Sequence, residues 1–99
     1  MCIRDRLEGV GERRIVFGHT HVQFRRTRSD GVELINPGSV GLPFDGDVRA
    51  AYALVDRDGA VELRRVGYDN EASAAAMRER FGSAAWVNRS VKRLQTAEP

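Results

Sequence analysis

The stretch Arg14-Ile15-Val16-Phe17-Gly18-His19-Thr20-His21 decides how the rest of the chain is read. Arg14 to Phe17 is a compact run rich in β-branched and aromatic residues, and it reads as a buried strand that ends at Gly18. The two histidines after it are the only ones in the sequence. In an extended segment, residues two apart point to the same side, with Cα atoms roughly 6.5 Å apart. Two imidazoles projecting together could ligate one metal ion, or one each of two ions spaced about 3.5–4 Å apart. Gly18 is expected to let the chain turn sharply off the strand. The rings would then sit at the strand's C-terminal edge, where ligands collect in open α/β sheets. The alternative is a pair of surface histidines on a strand. Two ligands also fall short of the three protein ligands of a catalytic zinc site. Asp45, Asp47 or Glu33 could add a carboxylate, though no spacing requires it.

Two hairpins come next. Residues 22–28 alternate, with Val22, Phe24 and Arg26 on one face. Ser29-Asp30-Gly31 makes the turn, and 32–35 return. The second hairpin runs over 50–56, turns at Arg57-Asp58-Gly59 and returns over 60–66. Ala51, Ala53 and Val55 face one way, and Val61, Leu63 and Arg65 share a face on the return. Asp-Gly at both turns is a local signal with a mechanism, because glycine accepts positive φ. Between the hairpins, residues 36–47 hold two of the three prolines and three glycines, so they read as an irregular loop. Loops of this length inside compact domains are often functional.

From Asn70 the period becomes helical. Asn70 is expected to cap a helix with Glu71 in its first turn. Ala74, Met77 and Phe81 fall on one face, and Gly82 ends it. A second helix over 83–95 places Trp86, Ser90, Val91 and Leu94 near one stripe.

With 99 residues the chain has room for at most one domain, and its stability margin is thin. Apolar content of 41% against 30% charged residues indicates a globular chain rather than a disordered one. No apolar run is long enough to cross a bilayer, and no signal-peptide core succeeds the first charges. No membrane association is expected, and the expected location is cytoplasmic. The lone Cys2 excludes an internal disulfide and a cysteine-based zinc site. It reads as a bystander, with a reactive thiol as the alternative. Residues 1–6 fit poorly with the remainder of the chain and are expected to be a truncated or non-native lead. Residues 7–14, with Gly9 and Gly11, read as a loop or a frayed helix end. The net charge of +2 does not argue for a nucleic-acid partner, and none is expected. The local run Arg25-Arg26-Thr27-Arg28 reads as a solvated strand with arginine on both faces. The alternative is a site for phosphate groups.

Val16-Phe17-Gly18-His19-Thr20-His21, with Asn36-Pro37-Gly38-Ser39-Val40-Gly41 after it, resembles the C-terminal signature of calcineurin-like metallophosphoesterases, in particular the small bacterial and archaeal phosphodiesterase branch. Leu42-Pro43 to Asp47 and Arg49-Ala50-Ala51-Tyr52-Ala53 continue the likeness, which covers about residues 14 to 68. The resemblance implies a mixed α/β (α+β) fold: the C-terminal half of a two-layer β-sandwich flanked by helices, as two hairpins and then a helical tail. Residues 7–69 would be the phosphoesterase part and 70–99 the tail. It further implies hydrolysis of phosphodiester or phosphomonoester bonds at a dinuclear centre of manganese, iron, zinc or nickel. His19 would ligate one metal and His21 the other. A bridging water, acidified by both, would attack phosphorus in line. The substrate would be a phosphorylated small molecule or a nucleotide. Asn36 and Ser39 would either touch that substrate or fix their turn, as Asx side chains do through nearby backbone. The family's upstream Asp-x-His, Gly-Asp-x-x-Asp and Gly-Asn-His-Asp or Glu motifs, and a further metal-binding histidine, are absent from this sequence. Gly46-Asp47-Val48-Arg49-Ala50 begins like the second motif but ends in alanine on the wrong side of His21, so Asp47 receives no bridging role. The chain is therefore expected to be a fragment, inactive by itself. The alternative is a non-catalytic binding or interaction module on the same fold.

Overall fold

The computed structural model describes residues 12–99. Its elements, in order, are β1 (Arg14–Val16), β2 (Phe24–Thr27), β3 (Glu33–Asn36), β4 (Ala50–Val55), β5 (Val61–Val66), α1 (Asn70–Phe81) and α2 (Ala85–Thr96). The fold is mixed α+β, two small sheets and then a helical hairpin, as the sequence implied. The expectations for residues 1–6, and for Cys2 within them, lie outside the described residues, as does most of the expected loop over 7–14.

The first sheet has the order β1-β3-β2. β1 runs parallel to β3, pairing Arg14 with Glu33 and Val16 with Ile35. β2 runs antiparallel, pairing Phe24 with Asn36. The end of β1, the end of β3 and the start of β2 therefore share one edge of the sheet. The β1–β2 connection, which carries both histidines, has to cross the C-terminal end of β3. Glu33 laces the three strands together, with Arg14 and Arg25 each 2.7 Å away. Leu34 and Ile35 point to opposite faces, and both are buried, so β3 is covered on both sides. β1 is not the buried strand the sequence suggested. Among the described residues it pairs on one edge only, and Val16 is 56% exposed. β2 also starts later than expected, at Phe24, so Val22 lies outside its alternation.

The second hairpin forms with a register that sets Ala51 opposite Arg65, Ala53 opposite Leu63 and Val55 opposite Val61, which agrees with the faces expected for each strand. Gly31 and Gly59 take φ of 88° and 84° at the two turns. Both are left-handed values that an L side chain adopts only with strain.

The helices depart from the sequence reading at their starts. The N-cap of α1 is Asp69, whose carboxylate accepts from the Ala72 N–H at 2.9 Å. Asn70 is already helical, and its amide donates to the Val48 and Leu94 carbonyls. An amide that can reach two carbonyls on other elements is used there rather than on its own helix. α2 starts at Ala85, and its buried face is Val87, Val91 and Leu94, not a stripe through Trp86. Trp86 instead packs on Phe81, ring centroids 5.4 Å apart, and both are half exposed. Ala74, Val87, Val91 and Leu94 form the core of the helical hairpin, joined by Met77 and by Leu42 from the loop. A groove of about 550 Å³, lined by Leu42, Ala50, Val66, Met77 and Leu94 among others, separates this hairpin from the second sheet. Among the described residues, no helix is long and apolar enough to cross a membrane.

Candidate functional site

The strand-end segment does not continue extended through the histidines. β1 ends at Val16, and Thr20 N–H turns back to the Gly18 carbonyl at 3.1 Å. His19 and His21 both adopt left-handed backbone, with φ of 78° and 61°. Gly18 is not among the positive-φ positions, and a side chain placed there would meet nothing within 4 Å. The chain thus turns at the histidines themselves, not at the glycine before them. Non-glycine residues held at such φ cost of order 1–3 kcal/mol each and persist only where the surroundings over-determine them.

Asn36 is the main restraint. It sits fully buried at the end of β3, directly under the crossing loop. Its amide nitrogen donates to the Gly18 carbonyl at 3.2 Å and to Thr20 Oγ1 at 2.9 Å, and its Oδ1 accepts from Gly38 N–H at 2.9 Å. Both the nitrogen and the oxygen of this side chain are used inside the fold. Ser39 behaves alike, its Oγ accepting from Leu42 N–H at 3.0 Å. Both side chains therefore fix loops, and the two loops they fix are those that border the histidines.

His21 is half-buried and oriented. Its Nδ1 lies 2.7 Å from the Leu42 carbonyl oxygen. A carbonyl can only accept, so Nδ1 carries the proton, and in the neutral ring the lone pair is left on Nε2. The imidazole stacks on Phe44, with ring centroids 4.5 Å apart and planes within 10°. Phe44 N–H also donates to the His21 carbonyl at 2.9 Å. His19 is exposed.

The carboxylates considered from sequence are not assembled around the histidines. Glu33 lies between Arg14 and Arg25. Asp45 pairs with Arg65, and Asp47 with Arg49 at 2.7 Å. Hydrogen bonding to Arg65 holds the Asp45 carboxyl below the usual range, and Arg49 does the same for Asp47. Among the described residues, no three of His, Cys, Asp and Glu are grouped so as to hold a metal ion. Of the basic run, Arg25 is taken by Glu33, Arg28 by Asp30, and Arg26 lies over the Phe24 ring.

The structural roles of Gln23 and of Gly38, the latter named above only as part of the Asn-Pro-Gly-Ser stretch, escaped the sequence reading. The Gln23 amide nitrogen lies within 3.4 Å of the Pro37, Tyr52 and Arg64 carbonyls, while its Oε1 accepts from Arg65. It stitches the first sheet to the second beside the histidine loop. Gly38 has φ of 86°, and a Cβ added to it would lie only 2.8 Å from Ala51 Cβ. A close approach of this kind has no signature in sequence beyond the glycine itself.

The family model of the calcineurin-like phosphoesterase superfamily domain matches residues 2–60, which include both histidines and the loop under them. The chain belongs to this superfamily. It is similar to the uncharacterized protein MJ0912 of Methanocaldococcus jannaschii, 37% identical over 70 residues, a match covering 56% of this chain and 29% of that protein. Among solved structures it is similar to a metallophosphoesterase from Sphaerobacter thermophilus, with a TM-score of 0.68 and 31% identity over 86% of this chain and 43% of that one. The chain spans less than half the length of either.

Proposed function

We propose that the whole protein is a divalent-metal-dependent phosphoesterase, hydrolysing phosphodiester or phosphomonoester bonds of a small phosphorylated or nucleotide substrate. The observation that carries this reading is His21, whose Nδ1 proton is fixed on the Leu42 carbonyl so that the neutral ring keeps its lone pair on Nε2. An imidazole oriented in this way by a backbone carbonyl is the usual form of a metal-ligating histidine. The described residues fit such a centre in part: two imidazoles suit manganese, iron, zinc or nickel, and the remaining ligands must come from elsewhere in the protein. His21 and His19 would each serve one of two ions. When bound, such an ion pair clamps phosphoryl oxygens and acidifies water for attack on phosphorus. Asn36 and Thr20 hold the histidine loop in its left-handed course, and Ser39 shapes the neighbouring loop that would border the substrate.

The test is metal content by mass spectrometry, with hydrolysis of bis-p-nitrophenyl phosphate alongside, on the protein from the gene's full coding sequence. About two divalent ions per chain, with metal and hydrolysis both lost in His19→Ala/His21→Ala, are expected. A folded protein that binds no metal and is indifferent to the double substitution would instead be a non-catalytic module on this fold.

A further inference from the structure

We infer that Phe44 is a positioning residue for His21, and that α2 serves the site by holding Phe44 through Arg93. The inference rests on the reading of His21 as a metal ligand. The hydrogen bond from Nδ1 to the Leu42 carbonyl fixes one atom of the imidazole. With the ring anchored at Cβ, this bond by itself still allows a pivot that tilts the ring plane and displaces Nε2. A near-parallel stack at 4.5 Å removes the pivot, because rotation would drive the imidazole into the Phe44 ring. Phe44 N–H on the His21 carbonyl locks the two backbones in the same register. His21 is thus restrained at its backbone, at Nδ1 and on a ring face.

The Phe44 ring is in turn held from the helical hairpin. The Arg93 guanidinium lies over it, 5.6 Å from the centroid, within the range of a cation–π contact. The end of α2 is tied to the same loop, since Gly46 N–H donates to the Ala97 carbonyl at 3.0 Å and Ala97 is fully buried. The Asn70 amide reaches both the Val48 and Leu94 carbonyls, fastening the loop's far end to α2 as well. The helical tail, which carries none of the family's motif residues, therefore braces the loop that aims His21.

The experiment uses the full-length protein. Long-range 1H–15N spectra of the metal-free form, at a pH of about 8.5 where imidazole is neutral, read the His21 tautomer. Competition titration with a chelator reads the affinity for Zn2+. Wild type and Phe44→Tyr are expected to show a single Nδ1–H tautomer. Phe44→Leu is expected to mix tautomers and weaken metal binding about 10–100-fold, the usual effect of losing a ligand's outer support. Arg93→Gln, on a different element, is expected to move both readouts in the same direction by less. A Phe44→Leu protein with the wild-type tautomer and an affinity within about twofold overturns the inference. So does an Arg93→Gln protein with unchanged readouts if Phe44→Leu fails to fold. Should the wild type bind no zinc at all, the metal reading fails, and the tautomer spectra still decide the role of Phe44.

Discussion

Asn36 Nδ2 lies 2.9 Å from Thr20 Oγ1, and Thr20 is the residue between the two histidines. One fully buried amide at the end of β3 thereby holds the middle of a loop whose flanking residues are both left-handed. The loop's shape is decided by this contact and by the Gly18 carbonyl that shares the same nitrogen.

Asn36→Asp keeps an oxygen for Gly38 N–H but turns an acceptor toward the Gly18 carbonyl and buries a charge. Loss of roughly 3 kcal/mol is expected, read by urea denaturation at neutral pH. A loss below about 1 kcal/mol would show that the amide does not hold the loop.

Gly38→Ala meets two obstacles, a left-handed φ and a Cβ placed 2.8 Å from Ala51 Cβ and 3.0 Å from Gln23 Cβ. Strain and overpacking together should cost roughly 2–4 kcal/mol. Adding Ala51→Gly removes the first clash but neither the second nor the φ strain, so only part of the stability should return in a thermal melt. Full recovery would mean that the contact with Ala51 was the whole cost.

Asp45 and Asp47 titrate below their ordinary range because Arg65 and Arg49, respectively, hydrogen-bond to the charged forms. A carboxylate whose folded pKa is depressed contributes stability above its unfolded value of about 3.9, and that contribution is lost as pH falls through the folded value. The melting temperature should therefore drop below about pH 4. Asp45→Asn should be less stable at pH 7 and show a shallower acid slope. Because Asp47 and Arg49 are more exposed, Asp47→Asn should change the slope less. Equal slopes for wild type and Asp45→Asn would remove the Asp45–Arg65 pair from the acid response.

His19→Gly and His21→Gly both relieve a left-handed non-glycine backbone. His19 is exposed, so its replacement should raise stability by about 1 kcal/mol in chelator. His21→Gly also gives up the Leu42 hydrogen bond and the Phe44 stack, so its melting temperature should fall. Both should lower metal content. Two variants with the same thermal shift in chelator would contradict the asymmetry between the histidines.

The sequence by itself determined the hairpins, their Asp-Gly turns and the two-helix tail, because alternation, turn glycines and the helical period are local properties. It also singled out His19 and His21, and the Gly-His-Thr-His and Asn-Pro-Gly-Ser stretches that mark the superfamily. What it misplaced depended on partners distant along the chain. Asp69 rather than Asn70 caps α1 because Asn70 is drawn to Val48 and Leu94. Val87 rather than Trp86 faces inward because the helical hairpin buries that stripe. The orientation of His21 comes from Leu42 and Phe44, about twenty residues downstream, and the left-handed course of its loop comes from Asn36. Only the tertiary structure decides such contacts, since parallel pairing of β1 with β3 is what brings the end of one strand over the end of the other.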